Sequence, residues 1–389
     1  MKARWLICLS SVLLFGASQA SMAACDQTLS VGANVASATA SAPGGSTICL
    51  NGGNYGSVNF TNINRSAGVT LRSTSGIGAT INANVANSRF ITFQNLTIAG
   101  SQISACSRDI QIRDSTFTNG LLVTMRNAAC TANLNLLVDG NTFGNLGPAT
   151  YEGRLSVADD DGVQPSMGLT ISNNKFGPGC QSDGIQLVGG ATGVMIGPGN
   201  IFDGINQSGS VHCDMIQFYA SGANNTINGN WFRNGSTVLT HHSATNANTH
   251  FTNNILSNVS QIQVNGSVGF VFEHNTIYNV SDVFQLNSEA GGSVVSRSNV
   301  IIGRGPSTTG GSTSVSYHLC QLAGSCSGAN QMIGAPTFVG GSLPTTWAGW
   351  ALAAGSMGKN AGHDGRDRGT TYFGAAGVAP EAPVNLTAQ

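Results

Sequence analysis

The sequence predicts an all-β solenoid of stacked parallel strands, and three observations carry that expectation. First, an asparagine-led triplet, Asn-x-(Phe/Ile/Leu), recurs from Asn141 through Asn174, Asn200, Asn230, Asn254 and Asn275 to Asn299. The steps between these asparagines are 33, 26, 30, 24, 21 and 24 residues, a loose period typical of stacked coils. Second, short strand-like runs such as "NLNLLVDG" and "GFVFEHN" precede the triplets, with no helix-length apolar period between them. Third, 41% of residues are hydrophobic although only 8% are charged and 52 are glycine, so the chain has the apolar content to fold. The spacing Leu-x-x-Leu-x-Leu of leucine-rich repeats is missing, and the regular hairpin signals of a β-sandwich are weak. Stacked Asn side chains at a sharp bend can hydrogen-bond from coil to coil.

Taken from the N-terminus, Lys2 and Arg4 precede an apolar run from Trp5 to about Gly16, followed by small residues to Ser21-Met22-Ala23. Residues 1–23 therefore read as a secretory signal peptide, which places the protein outside the cytoplasm, secreted or in a periplasm. "MAAC" also has the look of a lipoprotein box, with an unusual Met at its first position; lipidating Cys25 would strand Cys49, so the anchor is the weaker reading. After Cys8 leaves, eight cysteines remain, and an even number in an exported chain suggests disulfides. Pairing near neighbours in chain order gives 25–49, 106–130, 180–213 and 320–326. A zinc site would want a CxxC spacing, which is absent. Net charge is −1 with no basic run, which argues against nucleic acid and anionic membrane surfaces as partners. No later run of 18 apolar residues suggests membrane insertion, and a monomer is expected.

The asparagine triplets and the opening "ASAPGGSTICLNGGNYGSVNF" resemble the right-handed parallel β-helix proteins of the pectate-lyase-like superfamily, over about residues 40 to 335. There a segment of the form pGstIxLxxGxY leads into the first coil after a short capping helix. The resemblance implies a single-stranded right-handed parallel β-helix across 61–332, an N-terminal cap and first strand across 24–60, and an extension folded along the body from 333 to 389. Trp347 and Trp350 in that extension would cover the last coil or stack on sugar.

Aligning coils on an apolar-Gln-apolar element gives "DGVQP" (161–165), "DGIQL" (183–187), "DMIQF" (214–218), "TVLTH" (237–241), "SQIQV" (260–264) and "DVFQL" (282–286). One file then holds Asp161, Asp183, Asp214, Thr237, Ser260 and Asp282; another holds Gln164, Gln186, Gln217, Thr240, Gln263 and Gln285. Strand alternation points Ile185 and Leu187 inward and Gln186 outward. Likewise His241 takes the inward register, and Tyr219 and His242 the outward one. Gly162, Gly184 and Met215 would face out as a floor for ligand. With coils ~4.8 Å apart, Asp161, Asp183 and Asp214 would form a carboxylate ladder, thickened by Asp159 and Asp160, in which like charges raise at least one pKa unless a cation or proton intervenes. His212 lies close in sequence, and Tyr151 and Arg154 fall in a long insertion that would wall the groove. The bland alternative is that these Asp cap strand starts and the Gln stack as an amide column.

Such a strip suits a long hydroxyl-rich polymer, with Gln164, Gln186, Gln217, Gln263, Tyr219, His241, Arg154 and Arg233 as the expected substrate-binding residues. An extracellular, uronate-containing polysaccharide is the expected substrate. Two chemistries compete. In β-elimination, a cation or hydrogen bonds neutralise the sugar carboxylate while a base takes the adjacent proton. Asp160, Asp161, Asp183 and Asp214 would hold Ca²⁺ through oxygen ligands, with His242, Arg154 or Arg233 as base. In hydrolysis two Asp act as acid and base, in retaining or inverting geometry. The related polygalacturonase pattern (Asn-Thr-Asp, Asp-Asp, Gly-His-Gly, Arg-Ile-Lys) is present only in its Asp-Asp, which favours a lyase over a hydrolase. A non-catalytic carbohydrate-binding or adhesive β-helix is the third reading.

Overall fold

The computed structural model describes residues 24–124, 130, 134–148, 150–158, 168–207, 212–242, 245–288 and 292–374. The expected signal segment, 1–23, lies outside them. The chain is a parallel β-helix. One flank is a 13-stranded sheet running from Gln27–Leu29 to Ser312–Ser316, and a 17-stranded sheet forms the other two flanks. Pairing is parallel from coil to coil, as between Leu136–Asp139 and Leu169–Ser172. Among the described residues no helix is long and apolar enough to cross a membrane.

The recurring asparagines are the spine of the stack. Asn141, Asn174, Asn200, Asn230, Asn254, Asn275 and Asn299 are all buried. From Asn141 to Asn275 each Nδ2 donates to the Oδ1 one coil on, at 2.9–3.2 Å, and Asn299 faces His318 Nδ1. The same Nδ2 also donates to a backbone carbonyl of the preceding coil, such as Ile196 O from Asn230 at 3.0 Å. Every one of these buried amides is therefore satisfied, which is what makes the repeat affordable in an apolar interior. The residue before the ladder Asn has a left-handed backbone; Gly140, Asn173, Gly199, Gly229 and Asn253 all have φ between 55° and 85°, which Gly and Asn tolerate best. Two residues after the ladder positions, Phe143, Phe176, Phe202 and Phe232 stack ring on ring at 4.7–4.8 Å, the coil spacing itself.

At the N-terminus the helix Val35–Ser41 closes the first coil. Asn34 caps it by accepting from Ser37 N at 3.0 Å, and Arg65 donates to the last carbonyls, Thr39 O at 2.6 Å and Ala40 O at 3.0 Å. The four disulfides join Cys25–Cys49, Cys106–Cys130, Cys180–Cys213 and Cys320–Cys326, the pairs expected from chain order. Beyond Ile333 the chain returns along the body. Trp350 is 1% exposed, edge-on to Phe338 at 5.2 Å and Trp231 at 6.2 Å, so it covers coils and has no free face for sugar. Trp347 packs on Trp231 and Tyr372. Thr370 Oγ1 donates to Asn253 O at 2.7 Å and Arg368 Nη1 to His318 O at 2.6 Å.

Candidate active site

Strand register decides which side chains meet. Strands Gly153–Ala158, Asp183–Val188 and Asp214–Tyr219 stack in that order, followed by the second half of Trp231–His242. Ser156, Gln186, Gln217, Thr240, Gln263 and Gln285 form one file. The expected alignment holds from Gln186 onward and fails one coil earlier. There "GRLSVA", not "DGVQP", pairs with "DGIQLV", and Gly153 stands opposite Asp183. A side chain is barred at that position, because a Cβ on Gly153 would lie 2.8 Å from Gln186 N and 2.7 Å from Leu155 O. The position expected for Asp161 is held by Gly153, so among the described residues the carboxylate file is a pair, Asp183 and Asp214. Asp159, Asp160, Asp161, Gly162 and Gln164 lie outside the described residues. A bulge between Thr237 and Leu239 then sets Gln261, not Ser260, opposite Thr237, and Val283, not Asp282, follows.

The expected glycine floor is a close backbone contact instead. A Cβ at Gly184 would meet Met215 O at 2.4 Å. Met215, in the outward register, is fully buried, with its methyl under Gly235 beside Ile205.

Asp183 and Asp214 begin their strands and are 1% and 0% exposed. Asp214 N donates to Asp183 Oδ1 at 2.7 Å, which locks one carboxylate against the next coil. The disulfide Cys180–Cys213 ties the two strand starts together just upstream. One ligand atom each from Asp183, His212 and Asp214 lies within 4.8 Å of the others. His212 Nε2 is 3.4 Å from Asp214 Oδ1, with the ring 53% exposed over a fully buried carboxylate. Glu152 completes the cluster: its backbone carbonyl accepts from Asp183 N at 2.8 Å, and Gln217, in the amide orientation that satisfies its neighbours, donates to Glu152 Oε2 and Asp183 Oδ2 at 3.2 Å each.

Burial dominates the electrostatics. It pushes the Asp183 carboxyl up to about 8, helped by the charges of Asp214 and Glu152, while the amide of Asp214 and the Arg154 guanidinium pull the other way. Asp214 is raised as well, by burial above all, against the lowering influence of Thr240, His212, Thr237 and His242. Neither oxygen of Asp214 has a hydrogen bond of good geometry among the described residues, so at this site a proton or a cation is called for.

The other expected residues divide sharply. Tyr219 is 67% exposed, and His242 is exposed with Nε2 3.3 Å from Asn265 Nδ2; both border the strip on the side facing solvent. Gln263 is half-buried and bonded to Gln261. His241, expected among the substrate-binding residues, is 0% exposed, wedged between Phe218 and Phe270 at 5.1 Å each. Its ring bonds Ser267 and Thr249, and burial lowers its pKa to about 3, so it is a neutral core residue. Arg154 does not wall a groove: it is buried and donates to Gly179 O, and burial lowers its pKa to about 10 against the pull of Asp183. Arg233 belongs to the adjoining flank, paired with Asp203 at 2.8 Å and lying over Trp231. Glu152 went unnoticed because its coil was read out of register. An open pocket of about 600 Å³ lies elsewhere, at the N-terminal cap beside Asp26, Pro43 and Ile48.

No protein-family model matches the chain, and no curated protein matches it. Solved structures do share its fold. The chain superposes on the PL6 family alginate lyase AlyGC with a TM-score of 0.57 at 13% identity, covering 91% of this chain. It spans 59% of that protein's length. Pectate lyase Pel9A gives a TM-score of 0.51 at 15% identity, with 87% of this chain and 92% of that one covered. PfbA, a surface adhesin of Streptococcus pneumoniae, gives 0.50 at 14% identity, with 76% and 85% covered. At such identities the likeness establishes the parallel β-helix, and chemistry has to be argued from the site.

Proposed function

We propose that the protein is an exported polysaccharide lyase that cleaves a uronate-containing glycan by β-elimination. The observation that carries this reading is an exposed imidazole, His212, set 3.4 Å from a fully buried carboxylate, Asp214. An imidazole oriented by a buried carboxylate is a base able to take the proton beside a sugar carboxylate. Asp214 holds the ring and stabilises the charge it gains. Half-buried Gln217 and Gln263, continued by exposed Tyr219 and His242, offer hydroxyl-binding groups along the stacked strands. The fold is shared with an alginate lyase and a pectate lyase, and the four disulfides fit an oxidising compartment.

A divalent cation fits the donors present. Asp183 and Asp214 supply buried carboxylate oxygens, and Glu152 adds a third carboxylate nearby. Such an ion, Ca²⁺ in this reading, would neutralise the sugar carboxylate and acidify the proton next to it. With the Asp183 carboxyl raised to about 8 by burial, a proton would compete with such an ion as pH falls.

A retaining or inverting hydrolase is the second reading, because Asp183 and Asp214 each place a carboxylate oxygen in one cluster, where two carboxyls could act as a pair. Turnover of pectate, alginate, glucuronan and neutral glycans by the wild type, Asp183→Asn, Asp214→Asn and His212→Ala decides. Unsaturated, ultraviolet-absorbing product lost roughly 10²-fold or more in His212→Ala supports the lyase. New reducing ends without that absorbance, lost in both Asn variants, mark the hydrolase. Glycan binding without turnover leaves an adhesive β-helix, and unchanged turnover in all three variants removes the cluster from the mechanism.

A further inference from the structure

Far from the Asp183–Asp214 cluster, the returning C-terminal segment meets the 13-stranded flank at a second group of ionisable side chains. Glu273 closes strand Phe270–Glu273, His274 follows it, and His363 and Asp364 arrive from the segment about 90 residues later. One ligand atom from each of the four lies within 4.8 Å of all the others. His274 Nε2 is 3.1 Å from Asp364 Oδ2 and 3.5 Å from Glu273 Oε1, and His363 Nε2 is 3.2 Å from the same Glu273 Oε1. For a tetrahedral ion with ligands at 2.0–2.1 Å, the ligand-to-ligand edge is about 3.3 Å. The three measured edges bracket that value.

The imidazoles are oriented from behind as metal ligands are. His274 Nδ1 lies 3.0 Å from the carbonyl of Asp367. A carbonyl can only accept, so Nδ1 carries a hydrogen, and in the neutral ring the Nε2 lone pair points into the cluster. His363 Nδ1 rests on Ser298 Oγ at 2.9 Å, leaving its Nε2 for Glu273. Two lone pairs aimed at one carboxylate oxygen repel it unless a proton or a metal stands between. Glu273 and His274 are 8% and 1% exposed, so water cannot relieve the conflict freely. Arg297 takes the other oxygen of Glu273 at 3.2 Å and leaves Oε1 free to ligate. Arg366 also holds Asp364 Oδ2, and being 46% exposed it has room to withdraw.

The backbone adds an independent sign. In five earlier coils the left-handed position before the ladder Asn is Gly or Asn, whereas the later coils place His274 before Asn275, Ser298 before Asn299 and Tyr317 before His318, which takes the next ladder position. All three touch this segment: His274 through Asp364 and Asp367, Ser298 through His363, and Tyr317 against the His363 ring at 6.3 Å. These coils have given up the easier residue at the turn for contacts with the returning chain.

We propose that Glu273, His274, His363 and Asp364 form a structural site for a divalent transition metal of the zinc class, clipping the C-terminal segment to the solenoid. Two imidazoles and two carboxylates suit zinc-class ions better than calcium, whose ligands are oxygens. The full mature chain, stripped with chelator, is titrated with Co²⁺ and then with Zn²⁺. The expected result is the visible absorption of tetrahedral Co²⁺ at about one equivalent, displaced by Zn²⁺, with a rise in unfolding midpoint of about 5 °C at saturating Zn²⁺. The band disappears in His363→Ala and in Asp364→Asn and persists in His212→Ala. Should a variant not fold, the wild-type titration still decides: no tetrahedral band and no shift in midpoint mean an ion-pair network only, with protonated histidines. A band lost in His212→Ala and kept in His363→Ala assigns the metal to the other cluster and overturns the proposal equally.

Discussion

Asp183 shows how one buried carboxyl sets both the chemistry and the pH response of the site. Its ordinary value is 3.8, and burial raises it to about 8. Between those values the folded protein holds a proton that the unfolded chain releases, so stability falls as pH rises through that window. Below about pH 4 both states are protonated and burial costs nothing through ionisation; above about pH 8 the whole penalty is present. Asp183→Asn keeps an oxygen to accept from Asp214 N and removes the ionisation. In the presence of chelator the variant should gain on the order of 5 kcal/mol over wild type at pH 8, with no gain near pH 4, measured by urea denaturation. It should also lose turnover, so stability and activity move in opposite directions. A wild type as stable as the variant at pH 8 would mean that the charge is held by something other than a proton.

The ladder asparagines were legible because a buried amide stacked coil on coil must recur as the same letter, and every one named from the sequence takes its place in the stack. The strand register beside it was legible from Gln186 onward for the same reason. It failed at the coil before, because Ser156 occupies the glutamine position there and "DGVQP" offered a closer match in letters than the true "GRLSVA". Spelling could not reveal that Gly153 is required where Asp stands in the next coil; only the approach of Gln186 shows it. The ladder carries its own prediction. Asn230 donates to Ile196 O and Asn254 Oδ1 and accepts from Asn200 Nδ2. Asn230→Ala leaves those buried partners unsatisfied and should cost about 3 kcal/mol by equilibrium unfolding. Asn230→Asp, nearly isosteric, should cost more at neutral pH, because it turns the donor into a charge facing two acceptors. Recovery of Asn230→Asp relative to Asn230→Ala on acidification would show the carboxyl taking up a proton.

Coils of a solenoid protect one another except at the ends and along exposed flanks, and here the returning segment from Ile333 to Gly374 supplies cover that the repeat does not. It seals an apolar seam in which Trp231, Ile255, Val300 and Leu319 pack with Phe338, Trp350 and Leu352. None of this was visible in the repeat, since the partners are as much as 118 residues apart, as in the bonds of Thr371 to Asn253. What the sequence did show was two tryptophans in a glycine-rich tail. A chain ending at residue 333 should therefore keep its parallel coils and the Asp183–Asp214 cluster, which draws no contact from the tail among the described residues. It should expose Trp231 and the seam residues, bind a hydrophobic dye, and associate at concentrations where the full chain stays monodisperse. Trp231 fluorescence should shift to the red as Trp347 and Trp350 leave it. Far-ultraviolet circular dichroism unchanged in shape, together with glycan turnover near that of the full chain, would separate cover from folding. Collapse of the strand signal would instead make the tail an integral part of the solenoid, bound into the cooperative unit through Arg368 and Thr370.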